Sequence, residues 1–236
     1  AGTKISHIGL TLITSLGTVL LPRCSHLLKT GDHDGFRSVI NKSLNVTLAL
    51  SLPMTVGVML LAAPITIIFC GNEYHPSIPV LYLNAPVIIF ISLTNVMGIQ
   101  VLYPMDKVNL VIISVTGAAI LNLILNFLLI PQYGATGAAI STLIAEFSVL
   151  LLQIIFGRKY YPFRLSALFN LKYIIATLIM GIAVFTLTYP LHSDIIKILI
   201  GIGVGIITYF ITLLAMKEQI SIELLTIAKN KIGYGK

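Results

Sequence analysis

The sequence contains very few charged residues. Asp, Glu, Lys and Arg make up 10% of its 236 residues, whereas 57% of the residues are hydrophobic. Soluble globular domains carry about 25% charged residues, so this composition excludes one. The apolar runs also lack the period-two alternation of a transmembrane β-barrel. We therefore predict an all-α membrane protein, because a helix satisfies its own backbone hydrogen bonds in lipid.

Signals for catalysis, metal binding and nucleic-acid binding are also absent from the sequence. It contains no metal-ligand spacing, nucleophile elbow or glycine-rich phosphate loop. The acid–histidine cluster GDHDG at 31–35 is interpreted as a solvated turn. Cys24 and Cys70 lie at opposite ends of consecutive predicted spans, about 30 Å or more apart, and cannot form a disulfide. We expect no metal, no cofactor and no nucleic-acid partner.

Seven apolar runs are long enough to cross a membrane, since a hydrocarbon core of about 30 Å needs about 20 helical residues. Two of these runs form a helical hairpin at 108–157, around a turn marked by Pro131 and Gly134. The first run is already under way at Ile5 and the chain does not begin with Met, so we expect an amino-terminally truncated chain. The predicted spans are 5–22, 45–70, 78–103, 109–130, 136–157, 171–190 and 195–215.

Basic residues are distributed unevenly among the connections between these spans. Alternate connections hold 13 of the 15 Lys and Arg residues, and the remaining connections hold only Lys4 and Lys197. The positive-inside rule places the basic set in the cytoplasm. The amino end should therefore begin outside and the carboxyl end should lie inside. The same distribution explains the net charge of +7 without a nucleic-acid partner.

The longest basic connection, 23–44, allows two interpretations. Phe36, Val39, Ile40 and Leu44 recur at helical spacing beside basic residues. This pattern is typical of a short amphipathic helix on the cytoplasmic surface. Alternatively, these residues are the start of the second span.

Glu146 is the only acidic residue that we predict deep inside a span. A charge at the centre of a span costs about 3 kcal/mol on insertion scales, so Glu146 should face other helices or water. Asn122 and Asn126 lie four residues apart on one face of the other helix of the hairpin. The three side chains either line a polar transport cavity or hydrogen-bond to one another and hold the hairpin together.

Asn95 belongs to a similar polar stripe on the third span, with the same two interpretations. Arg23 follows Pro22 at the predicted cytoplasmic end of the first span. It is either a positive-inside anchor or an anion clamp, since a guanidinium binds phosphate through paired hydrogen bonds. No catalytic residue is predicted, and the candidate substrate-binding residues are Arg23, Asn95, Asn122, Asn126 and Glu146.

Five blocks of the first 165 residues resemble the Wzx-type flippases, in the polysaccharide-biosynthesis branch of the multidrug/oligosaccharidyl-lipid/polysaccharide exporter superfamily. The blocks are TVLLPRCSHL at 18–27, KSLNVTLALSLPMTVGVMLLAAPI at 42–65, SIPVL at 77–81, SLTNVMGIQVL at 92–102 and LNLILNFLLIPQYGATGAAISTLIAE at 121–146.

The resemblance implies about fourteen spans, as two six-helix lobes around a cavity plus two carboxyl-terminal helices. Residues 1–160 would form most of the second lobe, and 161–236 the two last helices and a cytoplasmic tail. Such proteins move undecaprenyl-pyrophosphate-linked oligosaccharide across the bacterial cytoplasmic (inner) membrane by alternating access, for O-antigen or capsule biosynthesis. The implied partners are this substrate, membrane lipid and the missing amino-terminal lobe, which should hold the cations that bind pyrophosphate.

Two other functions remain open. A drug or cation antiporter of the same superfamily would share this architecture. An integral-membrane polysaccharide polymerase or ligase would be an enzyme, but these generally need a large external loop. The short outward connections at 71–77, 131–135 and 191–194 argue against such an enzyme.

Overall fold

The computed structural model describes the backbone of residues 2–218, 220–222 and 226, and their side chains from residue 11 onward except 12, 13, 16 and 72. Regular structure in these ranges is entirely helical. The α-helices are α1 (Gly2–Lys29), α2 (His33–Leu60), α3 (Ala62–Cys70), α4 (Ile78–Asn84), α5 (Val87–Asn95), α6 (Val108–Tyr133), α7 (Ala135–Gly157), α8 (Leu171–Thr188) and α9 (Asp194–Ala215). A π-helical segment, Val96–Leu102, continues α5, and 3₁₀ helices cover Asn72–Ser77 and Leu165–Phe169.

Within the described residues, six helical stretches are long and apolar enough to cross a membrane. They overlap the second to seventh predicted spans, which confirms the all-α membrane fold. The stretch His33–Leu60 begins and ends earlier than the predicted span 45–70, whose last residues form α3. The first predicted span, 5–22, falls inside α1, a continuous helix of 28 residues. The six stretches are His33–Leu60, Glu73–Leu102, Val108–Tyr133, Ala135–Gly157, Leu165–Thr188 and Asp194–Ala215.

Two of the prolines within spans coincide with breaks in the helices. Pro64 lies just after the break between α2 and α3, and Pro86 separates α4 from α5. Each proline removes a backbone donor and clashes with the preceding turn. Pro53, in contrast, lies inside the uninterrupted helix α2. Pro64 and Pro86 therefore accompany helix breaks, whereas the helix continues through Pro53.

The beginning of α2 packs into the protein core. Phe36, Ile40 and Leu44 are at most 2% exposed and belong to the main hydrophobic cluster. They lie on one continuous helix with the second span. The amphipathic surface helix was therefore the wrong interpretation, because the apolar stripe faces protein rather than lipid headgroups.

Two helical hairpins, α6–α7 and α8–α9, pack against the helices that precede them in the chain. Helices α6 and α7 pair closely, and so do α8 and α9. Helix α7 packs on α4 and α5, whereas α8 packs on α2. The outward face of α6 is apolar and open, with Phe127 74% exposed. Such a face suits contact with lipid chains.

Candidate transport site

The α6–α7 hairpin depends on two glycines at its turn. Gly134 has a φ of +55°, which a residue with a Cβ adopts at a steric cost. Gly137 lies directly against the backbone of α6. A Cβ added there would lie 2.6 Å from the carbonyl carbon of Leu129, closer than atoms can approach. The two helices of the hairpin therefore pack tightly at Gly137.

The hairpin brings two of the predicted site residues to similar depth. Asn122 and Glu146 are both twelve residues from Gly134, on opposite helices. At about 1.5 Å per residue, each lies roughly 18 Å from the turn, near the middle of a bilayer. Both side chains are half-buried.

The hydrogen bonds of Asn122, Asn126 and Glu146 agree fully neither with a polar transport cavity nor with a hairpin held together by these side chains. Asn126 donates its side-chain N–H to the side-chain oxygen of Asn122, on the same helix. The oxygen of Asn126 is buried and has no partner in the described part of the chain. No hydrogen bond joins Glu146 to either asparagine across the described hairpin. The expected bond that would link the two helices through Glu146 is therefore absent there.

Asn95 and Arg23 lie outside the hairpin, on α5 and α1. The side chain of Asn95 covers Gly17, where an added Cβ would be 2.9 Å from the asparagine Cγ. Asn95 thus occupies a close crossing between the two helices. Arg23 is exposed, and α1 continues six residues beyond it to Lys29. The helix therefore continues beyond the predicted end of the first span, and the described residues give the Arg23 guanidinium no ion-pair partner.

Two glutamines place further polar atoms inside the protein. Gln100 on the π-helical segment is 1% exposed and Gln153 on α7 is 2% exposed. The side-chain oxygen of each has no hydrogen-bond partner among the described residues. Gly98, on the π-helical segment, lies against the Gln153 amide. π-Helical segments often mark functional sites, so this pair extends the set of candidate residues beyond those predicted.

The end of α7 is held by a tyrosine from the following connection. Tyr161 donates its hydroxyl to the backbone oxygen of Gln153 at 2.7 Å. Its ring occupies the space next to Gly157, where a side chain would overlap it. Burial raises the pKa of Tyr161 well above its ordinary value, so its hydroxyl remains a donor.

An apolar groove of about 670 Å³ runs between α2, α8 and α9. Pro53, Gly57, Val184 and Gly205 are among its lining residues, and almost all of the lining is hydrophobic. Its polar lining residues are Ser221 and Tyr209, and the Tyr209 hydroxyl donates to the backbone oxygen of Ala49 at 2.8 Å. This bond explains why one tyrosine lies inside the last span rather than at its end.

Glycines of α9 allow the groove to form. Gly201 and Gly205 are both buried, and they lie four residues apart on one helix face. An added Cβ at Gly201 would meet Leu61 at 2.9 Å, whereas one at Gly203 would meet no atom within 4 Å.

A buried carboxyl group follows α9. Glu218 is 6% exposed and accepts a hydrogen bond from the Tyr173 hydroxyl at 2.8 Å. It also accepts one from the backbone N–H of Ile220 at 2.6 Å. Ser221, 1% exposed, donates to the backbone oxygen of Glu218. Burial of this carboxyl group could not be predicted from the sequence, because Glu218 is next to Lys217 and follows the last apolar run, as in a solvated connection.

Comparison with known proteins identifies the family. The family model described as "Lipid II flippase MurJ" matches residues 8–205, which is most of the chain. The chain belongs to the MurJ family of lipid II flippases. A solved structure of the lipid II flippase MurJ in an inward closed conformation superposes with a TM-score of 0.75 and 22% identity, over 92% of this chain and 47% of that one. This likeness shows that the chain has the MurJ fold.

Curated relatives share a smaller part of their length. The lipid II flippase MurJ of Bacillus subtilis is 28% identical over 77% of this chain and 34% of its own length. The probable low-salt glycan biosynthesis flippase Agl15 of Haloferax volcanii is 26% identical over 87% of this chain and 44% of its own length. The chain therefore spans less than half the length of these relatives.

The comparisons confirm the flippase class and refine the branch. A flippase with transmembrane helices was expected from the five sequence blocks. The branch that matches is MurJ, and the comparisons give no support to a Wzx-type O-antigen flippase. The five blocks reflect the fold that these flippases have in common. Substrate choice depends on individual side chains, which the blocks do not identify.

Proposed function

We propose that this chain forms part of a flippase that carries a lipid-linked glycan precursor across the cytoplasmic membrane. The proposed substrate is lipid II, the peptidoglycan precursor, rather than an O-antigen or capsule intermediate. The observation that carries this proposal is the match to the MurJ family model over residues 8–205. The similarity to Agl15 supports the broader class, a lipid-linked glycan.

The groove and the hairpin suit the two ends of such a substrate. A long isoprenoid tail must stay in an apolar environment, and the groove between α2, α8 and α9 supplies one. The polar headgroup must cross the hydrocarbon layer, where unpaired polar groups are costly. Asn122, Asn126 and Glu146 would offer hydrogen bonds near mid-membrane, and Asn95 and Arg23 are further candidate contacts. Arg23 would meet a pyrophosphate with paired, charge-assisted hydrogen bonds.

The proposal includes a division of labour along the chain. Residues 1–160 would form most of one lobe of a two-lobe transporter, and 161–236 would add two helices and a cytoplasmic tail. The central cavity would then lie between this lobe and a second one, so the second lobe is the main proposed partner. Alternating access needs two packings of similar energy between such lobes.

The direct test is transport by the intact protein in proteoliposomes. Lipid II with a fluorescent headgroup is placed in both leaflets, and a membrane-impermeant quencher reports how fast the inner pool reaches the outside. We expect exchange at least tenfold faster than in protein-free liposomes. A peptide-free pyrophosphate-linked oligosaccharide and a cationic dye serve as the competing substrates.

The three substrates separate the proposed function from its alternatives. Faster exchange of the peptide-free oligosaccharide than of lipid II would reject lipid II and keep the lipid-linked glycan class. Dye extrusion that is driven by an ion gradient, without exchange of either lipid, would favour the drug or cation antiporter. Elongation of the oligosaccharide in the same vesicles would favour the polymerase.

Membrane orientation gives an independent prediction. Reporters fused after Gly157 and after Lys217 should read as cytoplasmic, and reporters at Gln132 and Ser193 as external. The reason is that 13 of the 15 Lys and Arg residues lie on one side of the predicted topology. Paired alkaline phosphatase and green fluorescent protein fusions measure this. A cytoplasmic signal at Gln132 would contradict the orientation.

Glu146→Gln tests the polar hairpin in transport. Gln keeps the size and most hydrogen-bonding capacity of Glu146 but cannot carry charge. If Glu146 contacts substrate or exchanges a proton, we expect lipid II exchange to fall about tenfold or more, at normal protein level in the membrane. Ser148→Ala on the same helix is the matched control, because the Ser148 hydroxyl donates only to the backbone oxygen of Ile144, one turn earlier in α7. Unchanged exchange in Glu146→Gln would assign Glu146 to packing.

A further inference from the structure

A second cavity, separate from the apolar groove, lies where α2 and α8 begin. It has a volume of about 460 Å³. One wall is the first half of α2, where Arg37, Asn41 and Asn45 follow one another every four residues and so line one helix face. The opposite wall is the α7–α8 connection, including Arg164 and Ser166. We call this space the α2–α8 cavity.

Most polar side chains that line the α2–α8 cavity have no partner in the described part of the chain; the exception is Asn170, which accepts a hydrogen bond from the backbone N–H of Lys172 at 3.1 Å and so caps α8. Arg37 and Arg164 form no ion pair within the described part of the chain. The side chains of Asn41 and Asn45 likewise make no hydrogen bond to the described residues. No acidic residue lines the cavity. Two positive charges and two amides therefore face an open space with nothing in the described chain to neutralise them.

The rim of the α2–α8 cavity is apolar on the side of the α7–α8 connection. Phe169 is 73% exposed and Leu171 is 69% exposed, and both line the cavity. Leu171 is the first residue of α8, so the rim lies at the end of a candidate membrane span. Basic groups beside exposed aromatic and aliphatic side chains, at the end of a span, are typical of contact with the lipid headgroup region.

We propose that the α2–α8 cavity binds the phosphate headgroup of an anionic phospholipid, such as phosphatidylglycerol. The two guanidinium groups would bind the phosphodiester oxygens through charge-assisted hydrogen bonds. Asn41 and Asn45 would bond the glycerol hydroxyls. Phe169 and Leu171 would contact the beginning of the acyl chains.

A lipid fits the cavity better than a soluble anion does. A soluble phosphate needs only the two arginines, and it would leave the exposed rim of Phe169 and Leu171 without a role. A phospholipid covers that rim and also satisfies the charge. The site is distinct from the proposed transport path, because none of its lining residues belongs to the apolar groove or to the α6–α7 hairpin.

Lipid binding by the intact protein can be measured without transport. The protein is purified in detergent, titrated with phosphatidylglycerol or phosphatidylcholine, and the bound lipid is counted by native mass spectrometry. We expect at least one phosphatidylglycerol retained preferentially over phosphatidylcholine. Arg37→Gln and Arg164→Gln should each weaken this binding by about tenfold, the effect of one lost charged hydrogen-bond pair. Size-exclusion profiles and melting temperatures establish that each variant is folded.

Arg158→Gln is the matched control. Arg158 is exposed, lies in the same α7–α8 connection, and does not line the cavity. The change in net charge is the same, so the control should bind phosphatidylglycerol as the unaltered protein does. An equal loss in Arg158→Gln, or no loss in the two cavity variants, would overturn the proposal.

Two further measurements distinguish a lipid from a soluble anion. Phe169→Ser removes part of the rim and no charge, so it should weaken phosphatidylglycerol binding several-fold and leave the fold intact. Inorganic phosphate and glycerol 3-phosphate at millimolar concentration should displace little of the bound lipid. Displacement by either anion, together with full binding in Phe169→Ser, would mean a soluble-phosphate site and would overturn the lipid assignment.

Discussion

Gly137→Ala is expected to destabilise the protein more than any other single methyl addition at a glycine of the α6–α7 hairpin. A Cβ at 137 would lie 2.6 Å from the carbonyl carbon of Leu129 and 3.1 Å from the backbone nitrogen of Ile130. Both are backbone atoms of the neighbouring helix, so no side chain can rotate away. Overpacking of this kind costs about 1–3 kcal/mol. The helices must separate at the turn to accommodate it.

Gly203→Ala is the matched control for this prediction. Gly203 also lies inside a helix, but an added Cβ there meets no atom within 4 Å. Alanine favours a helix over glycine by about 1 kcal/mol, so Gly203→Ala should be neutral or stabilising. The gain in helix propensity applies at both positions, so unfolding in mild detergent, followed by far-ultraviolet circular dichroism, should separate the two variants by the overpacking cost of about 1–3 kcal/mol. Equal stability would mean that α6 and α7 do not pack as closely as described.

The hairpin illustrates what could be predicted from the sequence. Two apolar runs of membrane length around a Pro/Gly turn left one topology, a helical hairpin that crosses the membrane twice. The hydrogen bonds could not be predicted. Asn122 and Asn126 share a face by spacing alone, but whether they bond to each other or to Glu146 depends on the rotation of α7 about its axis. A rotation of a few tens of degrees changes that without altering the pattern of apolar residues.

Features of α2 and of α9 could not be interpreted from the sequence for the same physical reason. Phe36, Ile40 and Leu44 form an apolar stripe, and a stripe has the same period whether it faces headgroups or a neighbouring helix. The spacing of Gly201 and Gly205 likewise does not distinguish a contact with another helix from a contact with lipid. Both cases are decided by which helices lie alongside, and that information is spread over distant parts of the chain.

Glu218 was missed for a different reason. An acidic residue beside Lys217, after the last apolar run, predicts a solvated connection. The structure buries it because α8 presents Tyr173, 0% exposed, 45 residues earlier in the chain. A local sequence window cannot contain both partners. The same holds for Tyr209 and its acceptor at Ala49, which are 160 residues apart.

Removal of the Glu218 carboxyl group is the second change expected to have a large effect. Glu218→Ala would leave the buried Tyr173 hydroxyl and the Ile220 N–H without their acceptor. An unsatisfied buried donor costs about 1–3 kcal/mol. We expect Glu218→Ala to lower the free energy of unfolding by about 2–4 kcal/mol in total, given two donors, one of them near the protein surface. Glu73→Ala, at an exposed residue of the 71–77 connection, should change it by less than about 0.5 kcal/mol.

A double-mutant cycle isolates the Tyr173–Glu218 bond itself. Tyr173→Phe removes only the donor and should cost about 1 kcal/mol. In the double variant Tyr173→Phe/Glu218→Ala, no hydroxyl is left without an acceptor, so the combined loss should be smaller than the sum of the single losses by about 1–2 kcal/mol. Thermal and denaturant unfolding of the four proteins in one detergent supply the cycle. Strict additivity would mean that the 2.8 Å bond between Tyr173 and Glu218 contributes nothing to the free energy of unfolding. The effect of Glu218→Ala would then come from the lost bond to the Ile220 N–H alone.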